Sequence, residues 1–212
     1  MRILALSDIH NSLGLLKRVA EKAPESDIAL ICGDLTSLGP KENCSKIMKI
    51  LHPRKVLAVP GNMDSNEVLE TLEAMHASIH CSEQVLFGKK FCGFGGGLSG
   101  RAGLLNFSEE EIEKCLAGLV QGESILVTHL PPFGSSLDLA QDREHIGSSA
   151  VRRIIEEKKP LLHLCGHVHE AFGEERLGST LSVNVGAVKN GKAAFIEIGK
   201  RGKMEIERIE AE

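Results

Sequence analysis

The 212-residue chain contains no tryptophan and no tyrosine, and aromatic residues make up only 3% of it. Without an aromatic platform on which bases could stack, sequence-tolerant binding of single-stranded nucleic acid is disfavoured. The formal net charge of −4 offers no broad basic footprint for a polyanion either. No run of 18 apolar residues is present, so no helix is expected to span a membrane. The opening segment MRILALSDIHNS is cut short by Asp8 and reads as a buried first strand rather than a signal peptide. None of the six cysteines forms a CxxC pair. They are expected to be reduced thiols of a cytoplasmic protein, with Cys32 and Cys165 acting as small apolar packing groups. There is no GxSxG elbow and no GxxxxGK[ST] phosphate loop.

What the chain does have is alternation. An apolar run at Arg2–Ser7 precedes a helical stripe at positions 13, 15, 16, 19, 20 and 23, which Pro24 stops. Strands are expected at Ile28–Cys32 and Lys55–Val59, and helices over Glu42–Leu51 and Asn66–Met75. This order implies right-handed crossovers and a parallel sheet. The second half reads as a hairpin about Gly88-Lys89, a helix opened by a Ser108/Glu111 capping box, and strands Ile125–Thr128 and Leu161–Cys165 bracketing a helix Ser149–Lys158. A strand meander follows from Leu177 onward, over Leu181–Val185, Ala193–Ile198 and Lys203–Ile209. With no repeat or linker, one α/β domain over residues 1–212 containing two sheets is expected.

Polar groups stand directly after five of these strands: Asp8 and His10, Asp34, Asn62, His129, then His167 and His169. In an open α/β sheet, ligands bind at the carboxyl edge of the strands. The two-residue spacing of Asp8/His10 and His167/His169 would let an extended segment aim both side chains at one point. Oxygen and imidazole donors without thiolate suit Mn²⁺, Fe or Zn²⁺, with Ni²⁺ and Co²⁺ as further candidates. Seven such groups exceed what one catalytic ion with an open position needs, and suit two ions about 3.5–4 Å apart.

The ordered series DIH, GD, GNMD, VTH and GHVH resembles the calcineurin-like metallophosphoesterase family from about Ile3 to Val188. The resemblance implies an αββα sandwich of two mixed sheets flanked by helices, with a dimetal site at the strand ends. It implies that Asp8, His10 and His169 hold one ion, that Asp34 bridges, and that Asn62, His129 and His167 hold the other. The activity implied is hydrolysis of a phosphodiester, or of an activated phosphomonoester, by a hydroxide between two metal ions, Mn²⁺ first among them. The chain departs from the family at Met63, where many members carry a proton-donating His, and at Ser37, where they carry the carboxylate that orients it. A thioether cannot donate a proton.

His145, in the segment DLAQDREHIGSS beside Arg143, is the best substitute acid, and Arg101 in GFGGGLSGRAG is a candidate phosphate clamp. Asp64 is expected to orient a ligand from behind. His52, His76, His80 and His163 are assigned structural or surface roles. The alternative reading is a non-catalytic metal-binding scaffold for protein–protein contact, similar to the retromer subunit on this fold. A nuclease acting on polymeric DNA fits the charge and composition less well. The expected partner is a small phosphoester substrate. The hairpin near Val85–Phe94 and the C-terminal strands are candidates for a homodimer contact.

Overall fold

The computed structural model describes residues 1–39, 41–199 and 202–212. Strands β1 (Arg2–Leu6), β2 (Ile28–Cys32) and β3 (Lys55–Val59) run parallel, linked through helices α1 (Leu13–Lys22) and α2 (Glu42–Leu51). Helix α3 (Asn66–Ala74) follows, and then the hairpin β4 (Ser82–Leu86) and β5 (Lys89–Phe94). Two short strands, β6 (Gly97–Leu98) and β7 (Asn106–Phe107), pair with each other. Next come α4 (Glu109–Leu119), β8 (Ile125–Thr128), α5 (Ser149–Lys158) and β9 (Leu162–Cys165). The chain ends on β10 (Gly173–Leu177), β11 (Thr180–Asn184), β12 (Lys192–Ile198) and β13 (Met204–Glu210).

The strands form a five-stranded sheet ordered β13-β12-β1-β2-β3 and a six-stranded sheet ordered β10-β11-β9-β8-β5-β4. Period two explains how the sheets pack. Ile3, Leu30 and Val59 face Phe91, Val127 and Leu164 across the space between the sheets. Their neighbours Leu4, Ile31 and Ala58 meet α1, α2 and α3 through Leu16, Ile47 and Val68. Leu126 on the other sheet meets α4 and α5 through Ile112 and Ile154. Each fully buried Leu or Ile removed from water stabilises by about 1.5–3 kcal/mol. The result is the expected αββα sandwich of two mixed sheets. The Ser108/Glu111 capping box also forms, with reciprocal bonds of 3.2 and 2.8 Å.

Two expectations need correction. The C-terminal strands are not one meander, because β10 and β11 complete one sheet whereas β12 and β13 complete the other. β10 lies ahead of Leu177, in a segment whose charged sequence GEERL carries little strand propensity. It is a strand because it pairs in full register with Thr180–Asn184. Nor are all six cysteines reduced. Cys81 and Cys115 form a disulfide, joining the segment before β4 to α4 with their Cα atoms 5.6 Å apart. Cys32, Cys44, Cys92 and Cys165 are free and buried. Since disulfides persist mainly in oxidising compartments, cysteine usage no longer argues for a cytoplasmic setting. No helix among the described residues is long and apolar enough to cross a membrane.

His163, fully buried on β9, bonds Thr128 Oγ1 through Nε2 at 2.8 Å and lies 3.3 Å from Ser182 Oγ through Nδ1. Burial pushes its imidazole from 6.5 down to about 3. Above pH 6.5 neither the folded nor the unfolded form is protonated. Between 6.5 and about 3 only the unfolded chain takes up the proton, so stability falls with pH. Lowering the pH from 7.5 to 5 should therefore cost about 2 kcal/mol through this one group. Urea unfolding at the two pH values checks this, and His163→Gln should flatten the dependence by that amount.

Candidate metal centre

The seven residues singled out from the sequence converge at the carboxyl ends of the strands. Asp8 Oδ1 lies 3.0 Å from His169 Nε2 and 3.7 Å from His10 Nε2. Asp34 Oδ1 accepts a bond from the Met63 backbone N–H at 2.8 Å. Its other oxygen, Oδ2, stands almost midway between two imidazoles, 3.5 Å from His10 Nε2 and 3.6 Å from His129 Nε2. Asn62 Oδ1 is 2.9 Å and His167 Nδ1 3.1 Å from that same His129 nitrogen. Two close-set groups result, Asp8–His10–His169 and Asp8–Asp34–His129.

Asp8, His10, Asp34 and His167 do not lie on extended segments. Their φ angles are 52°, 46°, 51° and 69°, in the left-handed region, as is Asn11 at 62°. Asp, Asn and His tolerate this region better than other side chains. Such residues cost on the order of 1–3 kcal/mol each and gather where a site requires them. Tight turns, rather than a pleat, bring the paired side chains together. Gly33 (φ 96°) and Gly166 make room for them. A Cβ at Gly166 would overlap Ser7 Oγ and stand 2.6 Å from Asp8 Oδ2.

Hydrogen bonds behind the cluster set which atoms face it. His129 Nδ1 donates to the Cys32 carbonyl at 2.8 Å, so in the neutral ring Nε2 carries the lone pair. The Asn62 amide N–H donates to the Ala102 carbonyl at 3.0 Å, which turns Asn62 Oδ1 towards that nitrogen. In that neutral form two electron pairs face one another, which either a bound cation or a proton on Nε2 would relieve; burial opposes the proton, while Asp34 and Asp8 raise the imidazole above its usual range. His10 Nδ1 lies 2.6 Å from Ser37 Oγ, whereas its Nε2 is buried with no hydrogen-bond partner. Ser37, notable in the sequence for the carboxylate it replaces, thereby orients a candidate ligand.

Asp64 is fully buried and acts on the loops rather than on a ligand. It accepts from Leu35 N (3.0 Å), Thr36 N (2.8 Å), Thr36 Oγ1 (2.9 Å) and Gly61 N (2.9 Å). It therefore ties the turn carrying Asp34 to the turn carrying Asn62.

The electrostatics of the centre are those of crowded anions and imidazoles. Burial opposes ionisation of Asp8, but the imidazoles of His10 and His169 beside it outweigh burial and hold its carboxyl well below the usual range. Burial pushes the Asp34 carboxyl up, and the Asp8 charge adds to this against the pull of His129. Burial also lowers His167, to about 3, with His129 contributing. A divalent cation would relieve the repulsion between the carboxylates and occupy the lone pairs of the imidazoles. The residues present fit such a group.

A cavity of about 470 Å³ opens over the centre, with Met63 and Lys189 in its wall. Lys189 has no counterpart in the sequence reading. Its backbone N–H donates to the Asp8 carbonyl at 3.1 Å, in a 3₁₀ turn (Val188–Asn190) that closes over the end of β1. The signal was a polar GAVKNG turn after an apolar strand, the same pattern that marked the other strand ends. Arg101 and Asn62 line a second cavity of about 290 Å³. His145 lines neither. Its Nδ1 is 2.6 Å from Oδ1 of the buried Asp138, and its ring packs on Phe133. A wider depression of about 820 Å³, bounded by Arg18, Lys22 and Glu212, holds none of these residues.

Residues 1–197 match the family model of the calcineurin-like phosphoesterase superfamily domain, and the chain belongs to that family. It is 31% identical over 192 residues to the uncharacterized protein MJ1162 of Methanocaldococcus jannaschii, covering 87% of each chain. The fold is shared with TT1561 of Thermus thermophilus, at a TM-score of 0.75 and 20% identity over 97% of both chains. It is also shared with a dimetal phosphatase from Danio rerio, at a TM-score of 0.66 and 13% identity over 100% of this chain and 99% of that one. The calcineurin-like resemblance read from the five motifs is thus established. The family makes this chain a metal-binding hydrolase of the phosphoesterase class.

Proposed function

We propose that the chain is a single metallophosphoesterase domain that holds two divalent cations and hydrolyses a small phosphodiester, with an activated phosphomonoester as second choice. The observation that carries this reading is the position of Asp34 Oδ2, almost equidistant from His10 and His129, with the other carboxylate oxygen tied back to the Met63 amide. Asp8, His10 and His169 would hold one ion, Asn62, His129 and His167 the other, and Asp34 both. Mn²⁺ is the first candidate for a site of oxygen and imidazole donors, with Fe, Zn²⁺, Ni²⁺ and Co²⁺ as alternatives. Bound there, the cations would supply a hydroxide nucleophile at neutral pH and offset charge on the phosphoryl oxygens. The chain's own part is to fix the donor atoms. Cys32 and Ser37 orient the imidazoles, and Asp64 holds the two turns in register. Lys189, in the cavity wall, adds a positive charge beside the phosphoryl group.

Titrating metal-stripped protein with Mn²⁺ tests the assignment. Two ions per chain are expected, and His10→Ala and His129→Ala should each lose one of them. A single ion bound by the unaltered protein would refute it.

Met63 lies in the wall of the metal cavity, where the family's proton donor would stand, so the enzyme should favour esters whose leaving group needs no acid. Met63→His should raise turnover of a phenyl ester about tenfold while changing a p-nitrophenyl ester little. That is less than the about 10²–10⁴-fold of a fully oriented general acid, because Ser37 is already engaged by His10. Comparing the two leaving groups in both proteins checks the prediction.

A further inference from the structure

The second cavity, of about 290 Å³, shares Asn62 and His167 with the metal cavity, so the two meet at the proposed reaction centre. Its other walls are of a different kind. Leu98, Leu130 and Ile146 make them aliphatic, and Arg101 is the charged residue among them. No Phe, Tyr or Trp lies among its described walls, and its one aromatic ring there, the His167 imidazole, belongs to a candidate metal ligand, so the cavity offers no dedicated platform for a nucleobase. Its volume equals about ten water volumes at ~30 Å³ each, at the lower limit of ligand cavities.

Arg101 is not carried on a loose loop. The Asn62 amide donates to the Ala102 carbonyl at 3.0 Å, and the Asn62 carbonyl accepts from Leu104 N at 2.7 Å and Leu105 N at 3.3 Å. Arg101 N bonds the Leu98 carbonyl at 3.1 Å, and the Arg101 carbonyl accepts from Asn106 Nδ2 at 3.2 Å. The backbone of the segment is thus pinned to a candidate metal ligand, which fixes the root of the exposed Arg101 side chain at the cavity wall. Among the described residues its side chain has no ion-pair partner.

Resting on the phosphoesterase reading, we infer that this cavity receives the non-reacting substituent of the substrate, and that this substituent is a compact aliphatic group ending in an anion. The aliphatic walls take the carbon chain, the Arg101 guanidinium takes a carboxylate or a second phosphate in a bidentate pair, and the phosphoryl group sits where the two cavities meet. The substrate class is an ester of a short acidic alcohol, distinct from a nucleotide or a nucleic-acid end.

Calorimetric titration of the Mn²⁺-loaded protein with three phosphonates tests this without turnover. Butylphosphonate should bind at least tenfold more tightly than methylphosphonate, given about 0.8 kcal/mol for each buried methylene. 4-Phosphonobutyrate should bind about tenfold more tightly than butylphosphonate, the gain of one charge-assisted pair. Arg101→Ala should bring that second ratio to about one, and Ile146→Trp should erase the first. If methylphosphonate itself does not bind, the phosphoesterase reading falls and takes this inference with it. If it binds but both ratios stay near one, or if thymidine 5′-monophosphate binds as tightly as 4-phosphonobutyrate, the cavity assignment alone is overturned.

Discussion

Asp34→Asn is expected to abolish metal-dependent hydrolysis, by at least about 10³-fold, exceeding the loss of a single oxyanion-hole donor. The variant should nevertheless fold. Asn keeps a carbonyl oxygen that can accept from the Met63 amide in place of Asp34 Oδ1. Its NH₂ group would then face His10 Nε2 and His129 Nε2, at the positions now 3.5 and 3.6 Å from Oδ2. An N–H replaces the shared lone pair at the one atom placed to serve both ions. Because burial and Asp8 already push the Asp34 carboxyl up, removing its charge should not lower the melting temperature of the metal-free protein. Turnover and metal-free melting curves, measured on the same preparation, separate this outcome from simple misfolding. A variant that retained even a tenth of the activity would exclude the bridging role.

Asp64→Ala is expected to cost about 3–5 kcal/mol of stability. Three backbone N–H groups and the Thr36 hydroxyl would lose their common acceptor in a buried turn. Each unsatisfied buried donor costs about 1–3 kcal/mol, offset in part by relief of burying the carboxylate. Metal affinity should fall as well, by about 10-fold or more, because the turns carrying Asp34 and Asn62 lose their common tie. Urea unfolding of the metal-free variant gives the first quantity, and Mn²⁺ titration of whatever remains folded gives the second. Asp64→Asn, which keeps one acceptor, should fall between the variant and the native protein. A change within about 0.5 kcal/mol, the range of an inert surface substitution, would contradict the assigned role.

Much of this was legible because it is local. Apolar runs such as Ile28–Cys32 and Lys55–Val59 are buried almost throughout, and the polar residue after each is a candidate ligand. Within each sheet the convergence of strand ends follows from topology, since parallel strands present their carboxyl ends on one edge; that the β1–β3 and β8–β9 edges meet depends on how the two sheets pack. What could not be read depends on contacts between distant residues. Cys81 and Cys115 are 34 positions apart, and no spacing rule pairs them. The role of Ser37 depends on a contact with His10 Nδ1, 27 residues earlier in the chain. The left-handed turns at Asp8 and His10 lack the glycine that would have announced them. Lys189 is not legible locally, because the 3₁₀ turn carrying it is tied by bonds to Ser7 and Asp8 at the other end of the sequence.

The most direct test of a dinuclear phosphodiesterase is hydrolysis of bis-p-nitrophenyl phosphate by metal-stripped protein titrated with Mn²⁺. The leaving group needs no acid, so Met63 is no obstacle. Two cations shared through Asp34 predict negligible turnover without metal and a rise that saturates only after two equivalents have bound. Absence of turnover with both ions in place, or full activity in metal-free protein, would contradict it.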